Sequence, residues 1–218
     1  MFLYSSITKK VLMALAGLFL VTFLSVHLGI NLMLLKNDGG RLFTEAATFM
    51  GTNALIKVFE VVLFVGFLLH IIVGVLVSSQ NKAARPSPYA VSNSSDTSLL
   101  SKYMFHTGVI VFLFLLLHFF DFYFIKIGLV APPPGVAIHD FYSRTLLLFS
   151  TPWYSLLYIF CFIALGIHLN HAIQSAFQTL GWNHGKYMDA VKFLGSAYSL
   201  IITAGFTLVP ICILFLKH

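Results

Sequence analysis

Four histidines lie deep inside four long apolar segments of this chain: His27, His70, His118 and His168. Each lies about 15 to 19 residues after the start of a segment that is long enough to cross a bilayer. Because successive spans run in opposite directions, His27 and His118 are predicted near one membrane face. His70 and His168 are predicted near the other. Two imidazoles at one level on facing helices can bind both axial positions of a haem iron. The spacing therefore predicts two bis-histidine haems stacked across a membrane.

The other histidines fit this role less well. A polar side chain inside a membrane span is costly, so each one is a functional candidate, although a hydrogen bond between helices is the alternative for any single histidine. His171 competes with His168, but three residues rotate a helical side chain by about 300°, so both cannot bind one iron. His106 is predicted near the water boundary, where it could bond a haem propionate or a quinone. The rest are assigned to loops or the terminus as solvated side chains: His139, His184 and His218.

Hydroxyl and glycine residues near the ligands are further candidates for cofactor contact. Thr107 lies eleven residues before His118, and Ser175 lies seven residues after His168. At about 100° per residue, each hydroxyl is within about 20° of the helix face of its predicted ligand. A hydrogen bond to a carbonyl of their own helix is an equal alternative for both hydroxyls. Three glycines could admit a flat macrocycle, with helix packing as the alternative: Gly66, Gly74 and Gly108.

Two acidic residues lie within or beside the apolar segments. Glu60 lies in the second segment, and Asp121 follows His118 by three residues. Either carboxylate could handle protons, and a salt bridge to Lys57 or Lys126 explains them equally well. The sequence alone assigns no catalytic residue.

Composition defines the class of protein. Of the 218 residues, 59% are hydrophobic and only 9% charged, whereas soluble domains have about 25% charged residues. The net charge of +6 is spread along the chain, which suits membrane flanks and argues against a nucleic-acid partner. Cys161 and Cys212 form no CxxC or CxxCH motif, which excludes a thiolate metal site and a covalently attached c-type haem.

Five apolar segments are long enough to be membrane spans, at about 8–35, 53–79, 103–129, 152–178 and 190–216. Backbone groups in lipid must be bonded within the protein, so runs of this kind are predicted to be helices. The fold class is therefore predicted as all-α, a five-helix transmembrane bundle enclosing two stacked haems, in one membrane domain covering residues 1–218. The first run is too long for a signal peptide and is predicted to be retained. Pro210 is predicted to kink the fifth helix, which closes the bundle without providing a ligand.

The connecting segments predict an orientation. The N-terminus, residues 81–101 and residues 179–189 share one side, with seven lysines and arginines against six on the other. This small excess places the N-terminus in the cytoplasm under the positive-inside rule. The same side is predicted to dock a soluble electron-transfer partner, because the His70–His168 pair lies nearest to it.

Four stretches resemble a known family: KKVLMALAGLFLVTFLSVHLGIN, HIIVG, TGVIVFLFLLLHFFDF and PWYSLLYIFCFIALGIHLNHAIQSAFQTLGWNH. Over essentially its whole length, the chain resembles the five-helix dihaem cytochrome b (b558-type) membrane-anchor subunit of succinate:quinone oxidoreductases. That group comprises succinate dehydrogenase and fumarate reductase. The resemblance implies the same four axial histidines and the same pairing. It departs at Gly166, where some dihaem members carry an acid that takes part in proton movement.

The resemblance also implies the function. Electrons would pass between an iron–sulfur subunit and membrane quinone through a proximal haem b at His70 and His168 and a distal haem b at His27 and His118. The partners would be a flavoprotein subunit with covalent FAD, which carries the dicarboxylate site, and an iron–sulfur subunit. Menaquinone is the more usual quinone of such members, and the location would be the bacterial inner (cytoplasmic) membrane.

Two other functions are open. The cytochrome b subunit of a formate dehydrogenase, hydrogenase or nitrate reductase also carries two haems, but its ligand spacing and number of spans differ. A transporter or structural membrane anchor could use histidines as a proton relay. The chain lacks the broken helices and paired acids expected at a transporter's midplane site.

Overall fold

The computed structural model describes residues 5–83 and 99–216, and all regular structure in these ranges is helical. Most of the predicted docking loop, residues 84–98, lies outside the described residues. The helices are, in chain order, α1 (Ser6–Leu32), α2 (Arg41–Thr52), α3 (Ala54–Ala83), α4 (Leu99–His118), α5 (Phe124–Lys126), α6 (Phe141–Phe149), α7 (Pro152–Thr179) and α8 (Gly185–Leu216). Five of them, counted with their short extensions, are long and apolar enough to cross a membrane. The prediction of an all-α chain with five membrane-length helices is confirmed.

Two segments that the sequence assigned to connections contain short helices. Helix α2 follows Asp38, whose carboxylate accepts hydrogen bonds from the backbone N–H groups of Gly40 at 3.0 Å and Leu42 at 3.1 Å. Helix α6 begins after Asp140, whose side chain accepts from the Ser143 N–H at 3.0 Å. A carboxylate just before the start of a helix satisfies N–H groups that lack an intrahelical partner. These two aspartates were the available sequence signal for both helices.

The two short helices meet at one end of the bundle. The rings of Phe43 in α2 and Tyr142 in α6 lie 6.4 Å apart. Gly40, at the start of α2, has a φ of 82° and lies directly against the Tyr142 ring, so that a Cβ atom there would collide with it. Glycine is required at this position both for the left-handed backbone and for the close approach.

Helix α7 is the most enclosed of the five long helices. It packs against α1, α4 and α8, while α3 packs mainly against α1. The outward faces of α3 and α4 expose large apolar side chains, such as Val61, Leu68 and Leu113, as expected of surfaces in lipid. Helix α8 continues through Pro210, and the kink at that residue stays a prediction.

Candidate functional site

The first predicted histidine pair joins α1 to the end of α4. The ring centres of His27 and His118 lie 5.8 Å apart, with the ring planes at 83°. Aromatic side chains surround the pair: Phe23 stacks on His27 at 5.3 Å, and Phe122 lies 5.1 Å from His118. Phe206 of α8 closes the side next to His27 at 5.8 Å. The pair thus lies in an apolar, aromatic compartment.

The second predicted pair joins α3 to α7. The ring centres of His70 and His168 lie 6.3 Å apart, at 82° to each other. Each ring rests on a glycine of a neighbouring helix. A Cβ atom on Gly17 would lie 3.4 Å from His70 Cε1, and one on Gly108 would lie 3.3 Å from His168 Cε1.

Both separations suit two imidazoles on one metal. Two metal–imidazole bonds of about 2 Å, plus about 1.1 Å from each bonding nitrogen to its ring centre, give a separation of roughly 6 Å. The Nδ1 atoms of His70 and His118 are buried and find no hydrogen-bond partner among the residues described. For His118, this argues against the alternative in which the side chain serves as an interhelical hydrogen bond. The residues present therefore fit a bis-histidine haem at each level.

A haem fits each pair better than a bare metal ion. A structural zinc site uses four protein ligands, whereas haem iron needs only its axial ligands from the protein. Residues 5–83 and 99–216 contain no group of three or more His, Cys, Asp or Glu side chains placed to hold an ion. Each pair supplies two nitrogens, the number that the axial positions require.

A cavity of about 490 Å³ opens where the turn after His118 faces α6 and the start of α7. Its wall is mostly apolar, with four polar side chains: Asp121, Arg144, Thr151 and Tyr154. Arg144 is only 1% exposed, and its Nη2 donates to the carbonyl of Ile138 at 2.8 Å. Its Nε and Nη1 are buried without a partner in the described part of the chain. The cavity therefore combines mostly apolar walls with a few polar side chains, the usual make-up of a site for an amphipathic ligand.

Asp121 connects this cavity to the histidine pair. It lies in a π-helical turn, Phe119–Tyr123, that follows His118 directly. Turns of this kind are frequent at functional sites. Its carboxylate accepts hydrogen bonds from the hydroxyls of Tyr154, at 2.8 Å, and of Tyr158. The Tyr158 ring lies 6.4 Å from the His118 ring. One hydrogen-bonded group thus extends from the cavity wall to the histidine compartment.

Thr107 forms the backbone hydrogen bonds that were the alternative to cofactor contact. Its hydroxyl donates to carbonyls of its own helix, Met104 at 3.0 Å and Tyr103 at 3.3 Å. The same oxygen lies 3.4 Å from Nδ1 of His168. Ser175 is half-buried, and its carbonyl accepts from the Thr179 hydroxyl at 2.8 Å.

The remaining candidates lie away from the pairs or in helix contacts. Gly74 packs on the sulfur of Met13, which a Cβ atom would approach to 3.8 Å, as expected of close helix packing. His106 is exposed, with its ring 6.0 Å from Tyr103. Glu60 forms a salt bridge with Lys126 at 3.1 Å, which confirms the salt-bridge alternative for this carboxylate.

Sequence reasoning missed Arg144, Tyr154 and Tyr158. Arg144 falls between the third and fourth predicted spans, and no pattern in the sequence singled it out. The two tyrosines stand four residues apart, so one helix face presents both hydroxyls, but no local pattern indicates that Asp121 lies opposite them.

Comparisons of this chain with protein-family models, with curated proteins and with solved structures give no match. Its function is therefore inferred from the histidine pairs and from the adjoining cavity.

Proposed function

We propose that this chain is the cytochrome b membrane-anchor subunit of a succinate:quinone oxidoreductase and holds two haems b. The observation that carries the proposal is the pair of imidazole contacts at two levels, with ring centres 5.8 and 6.3 Å apart. Haem supplies one-electron redox chemistry when bound, and the protein controls it through ligands, burial and hydrogen bonds.

The two levels are well separated along the bundle. Gly17, which supports His70, precedes His27 by ten residues, or about 15 Å of helix. Gly108, which supports His168, precedes His118 by the same number. The proposed complex has the His70–His168 level nearest the soluble partners and the His27–His118 level nearest the quinone.

The cavity beside His118 is the proposed site of the quinone headgroup. Reduction of a quinone to a quinol takes up two electrons and two protons. Arg144 lines the cavity with a positive charge, and Asp121 with Tyr154 can pass protons at the cavity wall. Menaquinone is the proposed species, as the family resemblance suggests.

The complex requires subunits that this chain does not encode. We propose a flavoprotein with covalent FAD and an iron–sulfur subunit, bound on the side of the N-terminus and of residues 81–101 and 179–189. The proposed location is the bacterial inner membrane, with the N-terminus in the cytoplasm.

The four ligand positions can be tested by single substitutions in the full chain, purified from membranes of a haem-producing host. The wild-type chain should show two equivalents of haem b in a reduced-minus-oxidised spectrum. His70→Ala and His168→Ala should remove the same haem, and His27→Ala and His118→Ala the other. His184→Ala, at an exposed loop position, is the control and should keep both. If all four ligand variants kept two haems with unchanged spectra, the assignment would be wrong.

The partner subunits decide between related functions. Copurification of a flavoprotein that oxidises succinate or reduces fumarate supports the proposal. Copurification of a formate, hydrogen or nitrate enzyme instead would assign the chain to that complex. Absence of haem from the wild-type chain would favour the transporter or anchor.

A further inference from the structure

Two residue patterns recur in the two halves of the bundle. Helices α1 and α4 both carry Met-x3-Gly-x9-His, at positions offset by 91 residues: Met13, Gly17 and His27, then Met104, Gly108 and His118. Helices α3 and α7 both carry a histidine flanked by small residues four positions away on each side: Gly66, His70 and Gly74, then Ala164, His168 and Ala172.

The repeated glycine has the same contact in both halves. Gly17 of α1 supports the His70 ring of α3, and Gly108 of α4 supports the His168 ring of α7, with nearly equal Cβ distances of 3.4 and 3.3 Å. The carbonyls of Met13 and Met104 lie beside the same two rings. The α1–α3 and α4–α7 helix pairs thus present the His70–His168 pair in equivalent ways.

The halves differ at the residue before each glycine. Thr107 precedes Gly108, whereas Ala16 precedes Gly17. The Thr107 hydroxyl uses its one proton on backbone carbonyls of its own helix, so the oxygen lone pair that faces His168 Nδ1 at 3.4 Å is free to accept. Ala16 offers no such group, so Nδ1 of His70 has no side-chain hydroxyl beside it in the ranges described.

We propose that Thr107 is a positioning residue for His168. The Thr107 oxygen accepts a hydrogen bond from the Nδ1–H of His168, so that Nε2 carries the lone pair that can bind a metal. The inference rests on the proposed function. A hydrogen bond from the second ring nitrogen fixes the tautomer and makes the imidazole a stronger donor. A stronger axial donor would stabilise oxidised iron, so this contact would lower the potential of a haem held by His70 and His168.

The test replaces the hydroxyl without changing the volume. Thr107→Val should raise the midpoint potential of one haem, by up to about 59 mV, which is a tenfold change in its reduced-to-oxidised ratio. The affected haem should be the one that His168→Ala removes. Thr107→Ser should restore the wild-type value. The matched control is Thr22→Val, whose hydroxyl bonds only the Leu18 carbonyl of its own helix at 3.1 Å and is exposed.

The repeat supplies a second variant that adds the contact. Ala16→Thr places a hydroxyl at the position equivalent to Thr107 and should lower the potential of the same haem. This variant keeps the inference testable if Thr107→Val fails to fold. The readouts are redox titration of the resolved α-bands and the electron paramagnetic resonance signal of each oxidised haem.

Each outcome has one meaning. If the wild type holds two haems and Thr107→Val leaves both potentials unchanged, this inference is wrong while the proposed function stands. The Met104 carbonyl would then be the group that orients His168. Equal shifts of both haems would also overturn it. A wild-type chain without haem would overturn the proposed function and, with it, this inference.

Discussion

Gly166 of α7 and Thr203 of α8 share one small space. A Cβ atom on Gly166 would collide with the Thr203 hydroxyl, which donates to the Ser199 carbonyl at 2.7 Å. Under the family resemblance noted from the sequence, this position corresponds to the one at which some dihaem cytochromes b carry an acid. Here a hydroxyl from the fifth span fills the space that such a side chain would need.

Gly166→Ala should therefore destabilise the bundle, by about 1–3 kcal/mol, the usual range for overpacking a filled core. The cost should fall in the double variant Gly166→Ala/Thr203→Ala, because the colliding hydroxyl is removed. Thermal unfolding of both variants and of Thr203→Ala alone in detergent measures this coupling. Additive effects of the two substitutions would contradict the contact.

His171→Ala should keep both haems. His171 follows His168 by three residues and so lies about 300° around α7, while the His168 ring already faces His70 at 6.3 Å. The reduced-minus-oxidised spectrum of the variant should match that of the wild type, with His168→Ala as the comparison. Loss of one haem from the His171 variant would make His171, rather than His168, the axial ligand.

Asp121→Asn should slow quinone turnover by about 100-fold while both haems remain bound, since general acid–base groups commonly contribute at least this much. The carboxylate receives two tyrosine hydroxyls at the cavity wall and can exchange a proton there. The matched control is Glu60→Gln, a membrane carboxylate paired with Lys126 rather than placed in the cavity wall. Equal losses of turnover in the two variants would show that Asp121 has no specific role in the quinone step.

Asp140 should stabilise α6 in a pH-dependent way. The Ser143 N–H, with a smaller contribution from the charge of Arg144, holds the pKa of Asp140 below its ordinary value. A carboxyl whose pKa is lowered by folding stabilises the fold above its ordinary pKa, and this contribution is lost as the pH falls through the folded value. Asp140→Ala should cost about 0.5–2 kcal/mol at neutral pH, and the difference from the wild type should shrink below about pH 4. Asp140→Asn, which keeps a capping oxygen, should lose less stability. A stability difference between Asp140→Ala and the wild type that did not change with pH would refute the ionised cap.

Protease sites in membrane vesicles should establish the orientation. A cleavage sequence inserted in residues 81–101 should be cut from the cytoplasmic side. The same sequence inserted at Gly135, in an exposed turn on the other side of the predicted topology, should be cut only from the periplasmic side. The reverse result would invert the docking face and exchange the proximal and distal levels.

The sequence predicted which histidines lie together, because depth along a helix follows from residue number alone. His27 and His118 were matched by counting residues from the start of each span, and their rings meet at 5.8 Å. The span bounds agreed to within a few residues, since lipid requires long apolar helices. Helix α6 was missed because it is short and has no long apolar run, so only the Asp140 cap indicated it.

The sequence alone therefore determined the class of protein, the number of spans and the level of each paired histidine, all of which depend on composition and helical rise. The tertiary structure decided the rotation of each helix and hence which side chains touch. Nothing local to Gly17 indicates that it supports His70, 53 residues later, and nothing local to Asp121 indicates two tyrosine partners from α7. Rotation about a helix axis is set by the packing of all its neighbours at once, which a pattern within one segment does not contain.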